Sequence, residues 1–424
     1  MNIKDIILKK ENALELTKDE IYYFVNEYTN GNITDSDMTL LLKAILKNDM
    51  TFDETFNMTD AMIKTGNVMD LSSINGIKVD KHSTGGVGDK TSLIVLPIVS
   101  SLGVKLAKLS GKGLGHTGGT IDKLDSIPGF KSYLSEEEFI KQVNEIGIVD
   151  ACQTKTLVPA DKKIYALRDI TNTTQSIPLI ASSIMSKKIA SGADKILLDV
   201  KTGSGALINN LDECIKLAKL MVKIGNKYGR KTIALITDMN EPLGCSIGNS
   251  IEVKEAIDVL NLKGDLKLTK LCIIISSYMV MLGKNISFEE AKNEVINALE
   301  TKKAYNKFLE FIKYQHGDLS KIKESKNKKD IYSNKEGFVF DIDEVRLAKL
   351  CLNMGSGRKN KDDIINYNVG IKIYKHINDY VKKAEILATI YYDDIDVVDD
   401  DVIDSFIISD EKNKEVKLIY ALVE

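Results

Sequence analysis

Two glycine-rich, hydroxyl-rich turns, 27 residues apart, restrict this chain more than any other feature. The first reads Lys81-His82-Ser83-Thr84-Gly85-Gly86-Val87-Gly88-Asp89-Lys90-Thr91-Ser92. The second reads Lys108-Leu109-Ser110-Gly111-Lys112-Gly113-Leu114-Gly115-His116-Thr117-Gly118-Gly119-Thr120. Each follows a short apolar run (Ile77 and Val79; Val104, Leu106 and Ala107) and precedes a stretch of helical character. Strand, glycine-rich turn, helix is how open α/β sheets gather backbone N–H groups and a helix N-terminus around an anion. Glycine lets the backbone approach, while Lys, Ser and Thr supply charge and hydroxyl donors. One such turn is common for steric reasons alone. Two together point to an oxyanion site, with phosphate the first candidate. Neither is a P-loop: residues 86–91 lack its four-residue spacer and adjacent Gly-Lys, and they do not read G-x-G-x-x-G.

The remaining chain frames these turns. Its 424 residues suffice for two or three domains. A net charge of −3 gives no reason to expect nucleic acid or an anionic membrane as partner. No uninterrupted apolar run approaches the ~18–20 residues of a membrane span, and the charged, amphipathic start is unlike a secretory signal. Five dispersed cysteines without a C-x-x-C pair fit reduced thiols and a cytoplasmic setting, and none is assigned chemistry. Lysine supplies nearly all the basic residues; the arginines are Arg168, Arg230, Arg346 and Arg358. A chain so sparing of arginine is expected to keep it where a planar fork matters.

Residues 1–66 read as helical, with capping-box spacing at Thr17/Glu20 and Thr51/Glu54 and a stop at Gly66. After the first turn, 93–102 continues as a helix in which Pro97 fits only near the first turn or at a kink. Ser135/Glu138 caps another helix. Residues 176–187 form a proline-entered helix on which Ser183 and Lys187 share a face. Strands at 196–200 and 232–237 flank a helix at 211–226, a βαβ unit that favours a parallel sheet. Residues 253–315 are largely helical. The lysine-rich stretch 324–337 reads as a linker. Alternating runs at 337–342, 369–373 and 386–390 predict a compact α+β module. The acidic run 393–404 reads as a solvated loop or strand edge.

The two turns resemble the signature pair of the thymidine/pyrimidine-nucleoside phosphorylase family. The likeness continues through Tyr165-Ala166-Leu167-Arg168-Asp169, Ala181-Ser182-Ser183-Ile184-Met185-Ser186-Lys187-Lys188, Asp199-Val200-Lys201-Thr202-Gly203-Ser204-Gly205-Ala206 and Glu241-Pro242-Leu243-Gly244. It therefore spans nearly the whole chain. The fold it implies is α/β: a discontinuous all-helical domain (1–66 and 161–192), a larger α/β domain with a mostly parallel central sheet (67–160 and 193–330), and a C-terminal α+β module (331–424). The reaction it implies is reversible phosphorolysis of a pyrimidine nucleoside (thymidine, uridine or deoxyuridine) to free base and pentose 1-phosphate. Phosphate is then co-substrate and nucleophile, and no further cofactor is required.

By the same resemblance Lys81, Ser83, Ser92, Lys108, Ser110 and Thr120 bind phosphate. Arg168, Ser183 and Lys187 bind the pyrimidine. His82, Arg168 and Lys187 are the catalytic residues, with His82 expected to contact a ring carbonyl and share a proton there, at an ordinary imidazole pKa. A homodimer formed through the helical domain is implied. So is domain closure, because the phosphate ligands lie on the α/β part and the base ligands on the helical part. His116 is expected to be structural, and His316 and His376 carry no site context.

Three positions depart from the family pattern. Lys112 replaces the usual arginine and Asp125 the usual glutamate. Lys90 stands where relatives often have threonine; there some bacterial members hold a monovalent cation at positions equivalent to Gly88, Leu243, Ser246 and Glu255. An ammonium at Lys90 would replace the cation and pair with Glu255, so activity is expected to be independent of potassium. Two rival readings remain. One is a phosphoribosyltransferase of the anthranilate type, which would need a diphosphate–Mg²⁺ site and finds only Asp89 and Asp122 near the loops. The other is an inactive pyrimidine-binding protein.

Overall fold

The computed structural model describes the chain except residues 114–117, 155, 361 and 394–398; His116 and part of the acidic run lie outside it. Helices α1 (Ile3–Glu11), α2 (Lys18–Asn30), α3 (Asp35–Asn48) and α4 (Phe52–Lys64) form an N-terminal bundle. Thr17/Glu20 and Thr51/Glu54 make the capping boxes that the spacing predicts. Gly66 serves packing rather than a left-handed cap, since a Cβ there would lie 2.4 Å from the Thr156 carbonyl oxygen.

The chain then enters β1 (Val79–Ser83), α5 (Thr91–Ser101), β2 (Leu106–Ser110), α6 (Thr120–Asp125), α7 (Glu136–Ile146) and β3 (Ile148–Cys152). Pro97 is the seventh residue of α5, beyond the first of the two placements, first turn or kink, that the sequence reading allowed. Next come α8 (Pro159–Ile170), α9 (Ile177–Ala190), β4 (Lys195–Thr202), α10 (Leu211–Lys227) and β5 (Lys231–Asp238). Strand β1 pairs in parallel with β4, β4 with β5, and β2 with β3. One bridge, Lys78 to Lys105, joins the two groups. The sheet therefore runs β3-β2-β1-β4-β5, outward both ways from β1. Such a reversal of strand order opens a crevice at the C-terminal strand ends, where both glycine-rich turns lie.

Helices α8 and α9 pack against α2, α3 and α4, so the helical domain is discontinuous. Helix α9 also packs against α10, and its core residues Ile180, Met185 and Ile189 join those of β4, β5 and α10 in one cluster.

Beyond β5 follow β6 (Ser246–Gly248), α11 (Ser250–Leu260), α12 (Leu266–Lys284), α13 (Phe288–Glu300) and α14 (Lys303–Tyr314). Helix α12 is long and apolar enough to cross a membrane by length and mean composition, although it carries three lysines. Here it packs on α5, α13, β1 and β4 in the core. The C-terminal module comprises β7 (Asn327–Tyr332), β8 (Gly337–Ile342), α15 (Glu344–Asn353), β9 (Gly370–Ile373), β10 (Tyr380–Val381), β11 (Ile386–Tyr392), α16 (Asp399–Ile403) and β12 (Phe406–Ser409).

Two sequence readings are corrected here. The stretch 324–337 is not a linker: β7 pairs antiparallel with β11, and every residue of β7 is exposed except the buried Ile331. The end of the chain also leaves the module. Strand β13 (Ile419–Val423) adds antiparallel to β5 and extends the central sheet, while β6 in turn pairs with β9 of the module.

Candidate active site

Strand β1 carries the first site residues because its alternation places side chains on both faces of a covered strand. Lys81 is fully buried, hydrogen-bonds Thr91 Oγ1, and lies 3.5 Å from Asp199 Oδ2 on β4. Ser83 Oγ donates to Asp89 and accepts from the Gly85 N–H at 3.1 Å. Gly85 and Gly88 have φ of +85° and +72°, the left-handed geometry that lets this loop fold back on the strand end. Ser92 is the second residue of α5, close to the unpaired N–H groups of that helix.

The neighbouring strand β2 adds the rest. Lys108 Nζ donates to the Lys81 carbonyl at 2.6 Å. The same ammonium is 3.8 Å from Asp80, whose other oxygen accepts from Lys188 Nζ on α9 at 2.6 Å. Ser110 is buried at the end of β2 beside Asp150, and Thr120 opens α6. Burial pushes the Asp150 carboxyl up to about 6, against the pull of Lys108. Asp150 escaped the sequence reading, and only its strand register opposite Lys108 marks it.

The pyrimidine set is held more tightly than expected. Lys187 Nζ bonds Asp161 on α8 and Ser183 Oγ at 2.9 Å, which confirms the shared helical face. Arg168 is almost wholly buried. Its guanidinium donates to the carbonyls of Thr173 (3.2 Å), Thr174 (2.8 Å) and Leu179 (3.1 Å), and burial lowers its pKa to about 10. Three of its five donors thus pin the α8–α9 connection, which leaves two for the base contact that the resemblance implies.

His82 lies between the two sets. Burial, and then the charges of Lys188, Lys108, Lys187 and Lys81, drive its pKa well below the ordinary 6.5. The imidazole is therefore neutral at pH 7, and the expectation of an ordinary pKa gives way chiefly to burial, with the lysine charges adding to it. Lys187 and Lys188 come from α9, Lys81 from β1 and Lys108 from β2, so charges from the helical and the α/β parts both act on this ring.

The departures from the family pattern acquire partners. Lys112 Nζ lies 3.1 Å from Asp125 Oδ2, so the shortened cation and shortened anion face each other. Lys90, fully buried, donates to the carbonyls of Leu243 (2.6 Å) and Ser246 (2.9 Å) and to Glu255 Oε2 (2.7 Å). Desolvation opposes its charge, but Glu255 and Glu252 outweigh it and raise its pKa.

Both loop carboxylates are committed. Burial would raise the Asp89 pKa, yet Lys81, Lys201, Ser83 and Thr91 hold it well below the carboxylate range. Asp122 accepts from the Gly113 N–H at 2.6 Å and from Arg358 at 2.9 Å. Arg358, in the connection between α15 and β9, also reaches the Gly113 carbonyl at 3.3 Å, so the C-terminal module braces the second loop.

Comparison with known proteins matches three segments. Residues 4–66 match the helical bundle domain of a glycosyl transferase family, 75–305 its a/b domain, and 338–404 a pyrimidine nucleoside phosphorylase C-terminal domain. The chain is 48% identical over 434 residues to a pyrimidine-nucleoside phosphorylase of Bacillus subtilis (strain 168), covering all of both chains. A Staphylococcus epidermidis protein of the same name is 46% identical over 433 residues, again covering all of both. One from Geobacillus stearothermophilus is 48% identical over 398 residues, 92% of each. Among solved structures, anthranilate phosphoribosyltransferase (TrpD) from Thermus thermophilus matches with a TM-score of 0.58 and 14% identity, covering 74% of this chain and 100% of that one. That likeness concerns the fold alone.

Proposed function

This chain belongs to the thymidine/pyrimidine-nucleoside phosphorylase family, and from that membership we propose that it catalyses reversible phosphorolysis of pyrimidine nucleosides to free base and (2-deoxy)ribose 1-phosphate. The carrying observation is geometric: Lys108 of β2 reaches the Lys81 carbonyl of β1 and lies 3.8 Å from Asp80, whose other oxygen holds Lys188 of α9, next to Lys187, so the phosphate lysines and the base-binding helix come together at the β1 position beside His82. Phosphate is taken by Lys81, Ser83, Ser92, Lys108, Ser110 and Thr120 and attacks C1′ directly. Fixing it there makes the attack effectively intramolecular. As the glycosidic bond lengthens, the sugar gains oxocarbenium character and the base gains negative charge. Arg168, Ser183 and Lys187 stabilise that charge more in the transition state than in the ground state. Neutral His82 supplies an N–H to a ring carbonyl and needs no net protonation for the task. Closure of the helical bundle over the crevice excludes water from C1′. Helix α9, bonded to β1 through Lys188 and Asp80, is the element about which it turns.

Lys90 takes the role that a monovalent cation plays in some relatives, so the enzyme works without potassium. The free thiols fit a cytoplasmic protein. A homodimer forms through α1 and α3, which pack together and leave Leu8, Leu40 and Leu46 exposed by 60%, 47% and 40%. The transferase reading is disfavoured because the Asp89 and Asp122 carboxylates already serve protein donors. Phosphorus NMR of the purified protein with uridine and phosphate tests the reaction: a pentose 1-phosphate signal supports it. Consumption of phosphoribosyl diphosphate with no such signal would favour the transferase.

A further inference from the structure

Away from the crevice, a second group of reactive side chains gathers where the α/β domain meets the C-terminal module. Cys245 precedes β6, Asp265 caps α12, and His376 lies between β9 and β10. Cys245 Sγ is 3.5 Å from His376 Nε2, the same nitrogen is 3.7 Å from Asp265 Oδ2, and the three atoms lie within 4.8 Å of one another. We propose that Cys245, Asp265 and His376 form a zinc-binding site that clasps the module to the α/β domain.

Three observations carry this. First, a tetrahedral zinc ion with Zn–S of ~2.3 Å and Zn–N of ~2.0 Å holds those ligand atoms roughly 3.5 Å apart, and N/O ligands slightly closer. The separations found already approximate that edge. Second, each ligand is presented by something that does not need the metal. Asp265 uses Oδ1 to accept from the Leu268 N–H at 2.7 Å, which leaves Oδ2 for the ion. The His376 ring is oriented by Glu241, whose Oε2 is 3.2 Å from Nδ1 and also accepts the Ile377 N–H at 2.9 Å. Its other oxygen is held by Lys267 at 2.6 Å. A carboxylate on the far nitrogen is the arrangement that fixes the tautomer and orientation of metal-binding histidines. Third, thiolate and carboxylate together balance the dication. Cys245 and Asp265 also line a cavity of about 280 Å³, from which water supplies the fourth ligand. Binding requires that Cys245 Sγ and His376 Nε2, 3.5 Å apart, give up any proton between them.

Cobalt titration of the chelator-treated full-length protein provides the test. One equivalent should give a thiolate-to-cobalt charge-transfer band with intense tetrahedral visible bands, and zinc should displace it. Cys245→Ser should abolish the charge-transfer band, whereas Cys152→Ser should keep it. Glu241→Gln should weaken zinc affinity by ~10–100-fold. Zinc should raise the melting temperature of the parent protein and not of His376→Gln. Absence of the thiolate band from the parent protein, or its survival in Cys245→Ser, would overturn the proposal even if a variant folds poorly.

Discussion

Lys90 is the residue on which the proposed independence of potassium rests. Its ammonium makes three short contacts, two to carbonyls and one to Glu255. Initial rates should therefore match in potassium and tetramethylammonium buffers, while Lys90→Thr should lose activity unless potassium is added. Potassium dependence in the parent protein would contradict this. His82 makes the complementary case for electrostatics. Its pKa lies below the unfolded value, so the folded ring stays neutral while the unfolded one protonates. Its contribution to stability is present above about pH 6.5 and is lost as pH falls below that value toward the depressed folded pKa. The His82 ring signal, assigned by its loss in His82→Gln, should titrate in the free protein with a midpoint well below the ordinary 6.5; a midpoint near 6.5 would refute the argument from burial and lysine charge. Much at this scale was legible in sequence. Lys81, Ser83, Lys108, Ser183 and Lys187 come from contiguous motifs, and the Lys90–Glu255 pair could be named in advance. His376, Cys245 and Asp150 could not, because their partners lie 131 residues away for the His–Cys pair or on the next strand.

Among the elements, the α8–α9 connection is the most revealing. Arg168 reaches forward to Thr173 and Thr174 in the connection and to Leu179 in the first turn of α9, so its fork orders the turn that delivers α9 to the site. Arg168→Lys keeps the charge but cannot make three divergent contacts. Calorimetry should show a loss of about 2–4 kcal/mol, and the KM for nucleoside should rise as Lys187 is displaced. Unchanged stability with a pure kcat loss would show that the guanidinium serves the base alone. Local rules read most elements well, since capping boxes at Thr17, Thr51 and Ser135 and the βαβ unit depend on neighbours in sequence. They misread β7, whose residues are exposed except Ile331 and whose strand character comes from pairing with β11 some 60 residues later. The same holds for β13, which returns to the central sheet from the chain end.

Across the whole molecule, two long-range arrangements place the site. The C-terminal module is joined to the α/β domain by the β6–β9 pairing and reaches the second glycine loop through Arg358. The exposed leucines of α1 and α3 lie on the bundle's surface. Sedimentation should find a dimer in the parent protein, and Leu40→Glu should convert it to a monomer with its helix content retained; a monomeric parent would remove the dimer from the picture. The division into helical, α/β and C-terminal parts was readable from periodicity and family likeness. The sharing of α9 between bundle and sheet was not, because a helix buried on nearly all sides has no amphipathic stripe to assign it to either. The most direct test of the central claim follows base release by ultraviolet absorbance, from thymidine, uridine and deoxyuridine, with phosphate present and absent. Phosphate as nucleophile predicts release from at least one nucleoside that saturates with phosphate and stops without it. Release that continues without phosphate, or no release from any of the three, would contradict it.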